Sequence, residues 1–229
     1  MTWVWVFLWA VFAAAVLGFQ GWSVNILLAQ KKAWREFASR YKLDVITPKK
    51  WLEPVALSGT LHGRRLNVYA EIEQTDRERT QRIYSHIEVF LNTRPDTYAA
   101  FSCKPLPDAL KWLDLPQVFT SLSPDWPKPA VAVTDDPYKL ANWLNPARMR
   151  TLRAFMESAS ARGDEAMLLV DHERAFLLWR TDNPLRDPRT LNALVQKLFS
   201  FAGDMDAAAA GNSANPKAES AISAPESSA

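Results

Sequence analysis

The sequence predicts an α+β protein: one N-terminal transmembrane helix, then an antiparallel-sheet domain with four or five helices. Three observations predict it. No side chain from Met1 to Gln30 is charged. Four runs between Val55 and Cys103 alternate apolar with polar residues and are separated by turn residues, the pattern of a sheet with one buried face. Further along, Asp136, Asn145 and Asp187 each precede a proline and an apolar repeat of three and four, which marks helix starts.

The N-terminal segment is strongest from Trp3 to Phe19, where every residue is Trp, Val, Phe, Leu, Ala or Gly. At about 1.5 Å per residue that stretch rises about 25 Å, close to the roughly 30 Å of bilayer hydrocarbon. Its inner boundary is therefore expected near Gln20 to Ser23, with Trp3, Trp5 and Trp9 at one interface and Trp22 at the other. A secretory signal needs a positive leading region and small residues before its cleavage site. Here Thr2 runs straight into Trp3, and Leu27 stands where a small residue would precede cleavage at Ala29, so the helix is expected to stay attached.

Lys31, Lys32, Arg35, Arg40 and Lys42 follow the segment, and only the terminal amine precedes it. The positive-inside rule then places the N-terminus outside and the domain in the cytoplasm, at a bacterial inner membrane, with a periplasmic domain as the alternative. Ala10, Ala14 and Gly18 form a ridge of small side chains that would let a second helix approach closely. Lys31, Lys32, Arg35, Lys49 and Lys50 are candidates for contact with anionic headgroups.

The domain follows in order. Trp34, Phe37, Ala38 and Tyr41 line one face of a helix over residues 31–42 that continues from the membrane. Strands are expected at 55–61, 65–73, 83–91 and 97–103, the first two joined through His62 and Gly63, together forming a meander. Residues 74–82 make a charge-dense connection, and a helix carrying Leu106, Leu110 and Leu113 follows. Prolines 116, 124, 127 and 129 mark a link over 115–129, between a first part (31–114) and a second (130–205) of one domain or two lobes. The second part reads as strand, helix, helix, a hairpin through Asp171, His172 and Glu173, and a last helix ending near Gly203 with Leu191, Leu194, Val195, Leu198 and Ala202 inward. The Ala- and Ser-rich tail, 206–229, is expected to be disordered.

No catalytic, cofactor or metal motif stands out. The net charge of +2 gives no reason to expect nucleic acid. The lone Cys103 excludes an internal disulfide, and the three histidines share no ligand spacing. Glycines 59 and 63 flank a turn and open no helix, so they do not form a phosphate cradle. His86 and Glu88 share a strand face that Tyr69 and Glu71 could meet; cross-strand pairing accounts for those residues without catalysis. Arg148, Arg150 and Arg153 read as a solvated helical face.

Trp34 and Ala38 on the first helix, Leu43 after it, and Gly59, Gly63 and Arg64 at the first hairpin form a pattern. It resembles uncharacterised bacterial membrane-anchored proteins with a W-x-x-x-A helix and a G-x-x-x-G-R hairpin after one transmembrane helix. The resemblance spans about residues 30–203 and implies structural roles for these residues, with no activity attached. The expected function is that of a membrane-tethered, non-catalytic interaction or scaffold protein whose partner is another membrane or membrane-associated protein. The alternatives are a domain binding a lipid or small ligand and, behind it, an enzyme of unrecognised type.

Overall fold

The computed structural model describes residues 2–74, 81–104, 117–118, 131–171 and 173–213. The chain is α+β, with a long apolar N-terminal helix and an antiparallel sheet backed by helices. The elements are α1 (Thr2–Tyr41), β1 (Asp44–Ile46), β2 (Ala56–Leu61), β3 (Arg64–Gln74), β4 (Gln81–Phe90), β5 (Ala99–Ser102), β6 (Gln117–Val118), β7 (Val131–Thr134), α2 (Pro137–Trp143), α3 (Pro146–Ser160), β8 (Glu165–Val170), β9 (Ala175–Thr181) and α4 (Pro188–Ser213).

The apolar segment and the domain helix expected after it are one continuous α1, long and apolar enough to cross a bilayer. Every described side chain from Trp3 to Ser23 is exposed, and cover begins at Val24. The uncovered length is about 31 Å at 1.5 Å per residue, which matches the hydrocarbon thickness. Beyond it Trp34, Phe37 and Ala38 enter the core. The helix ends with Lys42 at φ +54 and the Leu43 amide bonded to the Ala38 carbonyl at 2.9 Å, a left-handed cap that turns the chain into β1.

The sheet order is β1-β2-β3-β4-β9-β8-β5-β7-β6, antiparallel throughout. The hairpin between β2 and β3 turns through His62 and Gly63, both at positive φ as a two-residue turn of this twist requires. The expected four-strand meander is corrected: β5 leaves β4 and lies between β8 and β7. The hairpin β8–β9 takes the vacated place because both its strands are almost wholly apolar and buried on both faces, so they need neighbours on either side. All four residues of β5 are buried for the same reason. Both parts of the sequence thus share one sheet, and residues 117–118 of the expected proline-rich link form its end strand.

Helices α1, α3 and α4 pack on one face, over a core that joins Leu66, Val68, Ile87 and Val89 to Leu168, Leu177 and Trp179. The side chains of Asp136 and Asn145 cap α2 and α3 as their positions just before a proline predict. Asp187 caps α4 through the amides of Arg189 and Thr190. The inward residues expected of α4 are all buried.

Two corrections concern charged residues. Helix α4 runs past Gly203 to Ser213, so the tail is helical at its start; Ala207 to Ala210 have the highest intrinsic helix propensity. Asp206 is partly buried there and accepts from the Thr93 hydroxyl (2.6 Å), the Thr93 and Asn92 amides (both 3.0 Å) and Arg64. Arg148, expected on a solvated face, is 4% exposed. It donates to the carbonyls of Met205 and Trp143 and to the Thr93 hydroxyl, and lies over the Trp143 ring. The charge-dense residues 75–80, the helix expected near 106–113, His172 and residues 214–229 lie outside the described residues.

Candidate functional site

The sheet face opposite the helices carries a second, smaller apolar cluster: Ala100, Met167, Leu169 and Leu178, with Val133 and Phe176 against it. Cross-strand register sets polar side chains beside it. Tyr69 pairs with His86 and His86 with Arg180, while Asn67 pairs with Glu88 and Glu88 with Leu178. Alternation along each strand therefore sends Tyr69, Glu71, Glu73, Tyr84, His86, Glu88 and Arg180 to the same side as the apolar cluster. Together they line a cavity of about 200 Å³ whose floor is Met167, Leu169, Phe176 and Leu178.

The polar side is ordered by hydrogen bonds. The Tyr69 hydroxyl donates to Glu88 Oε1 and the Asn67 amide to Glu88 Oε2, both at 2.8 Å, and Ser58 donates to Asn67 Oδ1 at 2.9 Å. The Tyr69 ring stacks on the His86 imidazole at 4.9 Å. Arg180 donates to Glu165 at 2.7 Å and to Glu73, and its guanidinium lies 3.7 Å from the centre of the Tyr84 ring. Burial, the charge of Glu88 and the hydrogen bond to it hold the Tyr69 hydroxyl protonated, far above its ordinary range.

His86 is the unusual member. It is 6% exposed, and its Nδ1 has no hydrogen-bond partner among the described residues. Its Nε2 lies 3.7 Å from Glu71, too far for a hydrogen bond. That contact is no ion pair at neutral pH, because burial and the nearby charge of Arg180 push the imidazole down to about 4.

A pH dependence follows. The folded value lies below the unfolded one near 6.5, so the unfolded chain takes up the proton first as the medium is acidified. Stability is full above about pH 6.5 and falls toward about pH 4, by roughly 3 kcal/mol in all. Melting the full chain between about pH 6.5 and 5, above the main carboxylate range, is expected to show a falling Tm that His86→Gln largely removes. An unchanged slope in the variant would assign the loss to other groups.

Of the residues singled out in sequence, the structure brings together His86, Glu88, Tyr69 and Glu71. Ala10, Ala14 and Gly18 lie on the uncovered part of α1, and nothing comes within 4 Å of a Cβ built at Gly18. Lys32, Arg35, Lys49 and Lys50 are exposed. Lys31 is 8% exposed and its ammonium donates to the Trp51 carbonyl, so it serves the fold in place of a headgroup. Sequence reasoning missed Arg180 and the apolar floor: β9 is apolar on both faces, and nothing in the sequence says which of them lies beside Tyr69 and Glu88. The hairpin residue Asp171 bonds the amides of Glu173 and Arg174, as a turn residue does.

No family model matches the sequence, and no curated protein matches it. The crystal structure of the mycobacterial trehalose monomycolate transport factor A, TtfA, superposes with a TM-score of 0.48 at 8% identity, over 77% of this chain and 92% of that one. Chains this far apart in sequence and shape say nothing of each other's ligands.

Proposed function

We propose that the protein is a membrane-tethered, non-catalytic binding domain. Its ligand is a small amphiphile with an apolar body and a hydrogen-bond-donating head, held in the cavity on the outer sheet face. The observation that carries this reading is the cavity's division into an apolar floor and an acceptor-rich wall. Glu71 is half-exposed at its edge, 3.7 Å from the neutral His86 ring. A ligand cation or hydroxyl satisfies such a wall, whereas a carboxylate is repelled.

The protonation states favour holding over chemistry. Glu88 already accepts two hydrogen bonds, Tyr69 is fixed as a phenol and His86 as a neutral ring. Neither the phenol nor the imidazole is poised to exchange a proton near pH 7.

Phenethylamine and phenylacetate give a direct test, since they share an apolar body and differ in the head. With the full chain in phosphatidylcholine nanodiscs, the amine is expected to raise Tm and the acid is not. Leu178→Trp, which fills the floor, should abolish the shift, and Glu71→Gln should weaken amine binding about tenfold, the worth of one charge-assisted contact. Equal shifts from both probes, or a shift that survives Leu178→Trp, would remove the reading.

A further inference from the structure

The segment after β1 carries apolar side chains that the fold leaves outside. Trp51 is 65% exposed and Leu52 50%, and Ile46, at the end of β1, is 57% exposed. Lys49 and Lys50 stand between them with their ammonium groups in solvent; Lys50 is 3.6 Å from Glu53 in a pair too exposed to neutralise it fully. In water a tryptophan and a leucine side by side leave apolar surface hydrated at a cost that a soluble domain normally avoids.

The place of this segment is fixed by α1. The crossing leaves its uncovered stretch at Ser23, and Lys31 stands eight residues on, about 12 Å further along the axis. The buried Lys31 ammonium holds the carbonyl of Trp51. The exposed segment is therefore tied to the helix just above the bilayer, whose headgroup layer is roughly 5 to 8 Å deep on each side. The remaining distance is within the length of a tryptophan side chain, and Trp22, 64% exposed, lies near the end of the uncovered stretch. Strand β1, at the opposite end of the sheet from β6, leads directly into this segment.

We infer that the segment from Ile46 to Leu52 is a second membrane attachment. Trp51 and Leu52 enter the headgroup layer of the leaflet from which α1 emerges, and Lys49 and Lys50 contact anionic lipid. Tryptophan and leucine suit the boundary between headgroups and chains, and the lysines just before them are drawn by negative surface potential. Two attachments would hold the domain at one height and one orientation, where a lone helix would let it swing.

The test uses the full chain with a single new thiol. Cys103 is buried, so Leu52→Cys supplies the reactive position for a bimane label, and Tyr138→Cys, 84% exposed in α2 after β7, supplies a distant comparison. In nanodiscs of phosphatidylcholine with phosphatidylglycerol, brominated lipid is expected to quench the label at 52 strongly and the label at 138 little. Aqueous iodide should show the reverse. Replacing Lys49 and Lys50 by glutamate, or omitting phosphatidylglycerol, should reduce the lipid quenching at 52 several-fold, and an unchanged melt will show that these exposed substitutions leave the fold intact. Iodide reaching position 52 as freely as 138 overturns the attachment. Lipid quenching indifferent to both lysines and phosphatidylglycerol overturns its anionic component.

Discussion

Replacing Asp206 with alanine is expected to lower the Tm of the full chain by about 6 to 20 °C, corresponding to a loss of about 3 to 5 kcal/mol. The size follows from what the carboxylate holds. It accepts four hydrogen bonds, from Arg64, from the amides of Asn92 and Thr93 and from the Thr93 hydroxyl, and that hydroxyl in turn accepts from Arg148 at 2.9 Å. The carboxylate ties the end of α4 to the residues after β4, and Arg148 adds the start of α3. Alanine leaves Arg64 and two amides without their acceptor in a partly covered place, which adds a desolvation cost to the lost bonds themselves. Asp206→Asn, which keeps one acceptor oxygen, should fall between.

The same group has a pH signature distinct from that of His86. Burial pushes the Asp206 carboxyl up. The hydrogen bonds from Thr93 and Arg64, the Asn92 amide and the charge of Arg64 outweigh burial and hold it below the usual carboxylate range. Its folded pKa is depressed, so its stabilisation is complete above the unfolded value near 3.9 and is lost as pH falls through the folded one. The acid limb below about pH 4 should therefore be shallower in Asp206→Asn than in the wild type, while the His86 limb at higher pH stays in place. A double-mutant cycle with Arg148→Met should give a coupling of more than about 1 kcal/mol if the shared Thr93 hydroxyl links the two.

Why Asp206 escaped the sequence is instructive. Local composition after Gly203 is Ala-, Ser- and Asn-rich, and nothing in it announces a partner more than a hundred residues away. Arg148 was equally silent, because one buried arginine among three on a helix has the same spacing as a solvated one. The apolar stripe of α4, the capped starts at Asp136 and Asn145 and the hairpin at His62 and Gly63 were legible, since each is set by residues within a turn or two. Strand order was not: β5 reads as the next strand of a meander until β8 and β9 are seen to need burial on both faces. For the candidate site, alternation along β3 and β4 suggested His86, Glu88, Tyr69 and Glu71. The cavity itself depends on β9, which pairs with β4 from ninety residues on.

The resemblance motif finds a physical meaning in the same terms. Gly59 sits where a Cβ would come within 2.8 Å of the Leu43 side chain, Gly63 occupies the hairpin turn at positive φ, and Arg64 reaches Asp206. Gly59 and Arg64 thus join the first hairpin to Leu43 and to α4, while Gly63 shapes the turn itself.

Trp34 fastens α1 to the domain, and its two substitutions should differ sharply. The ring is fully buried where α1 enters the core, and its indole Nε1 has no hydrogen-bond partner among the described residues. Trp34→Ala opens a cavity and is expected to cost about 3 to 5 kcal/mol, again about 6 to 20 °C in Tm. Trp34→Phe also loses volume, but it removes an unpaired donor whose burial already costs about 1 to 3 kcal/mol, so its net effect should stay near 1 kcal/mol. A phenylalanine variant as unstable as the alanine one would show that the indole N–H is satisfied and that its bond matters. If the ordering holds, the alanine variant should also free the domain from α1. A bimane label at position 52 would then lose its lipid quenching well below the wild-type melting temperature, because the Lys31–Trp51 contact lies one turn from the emptied site.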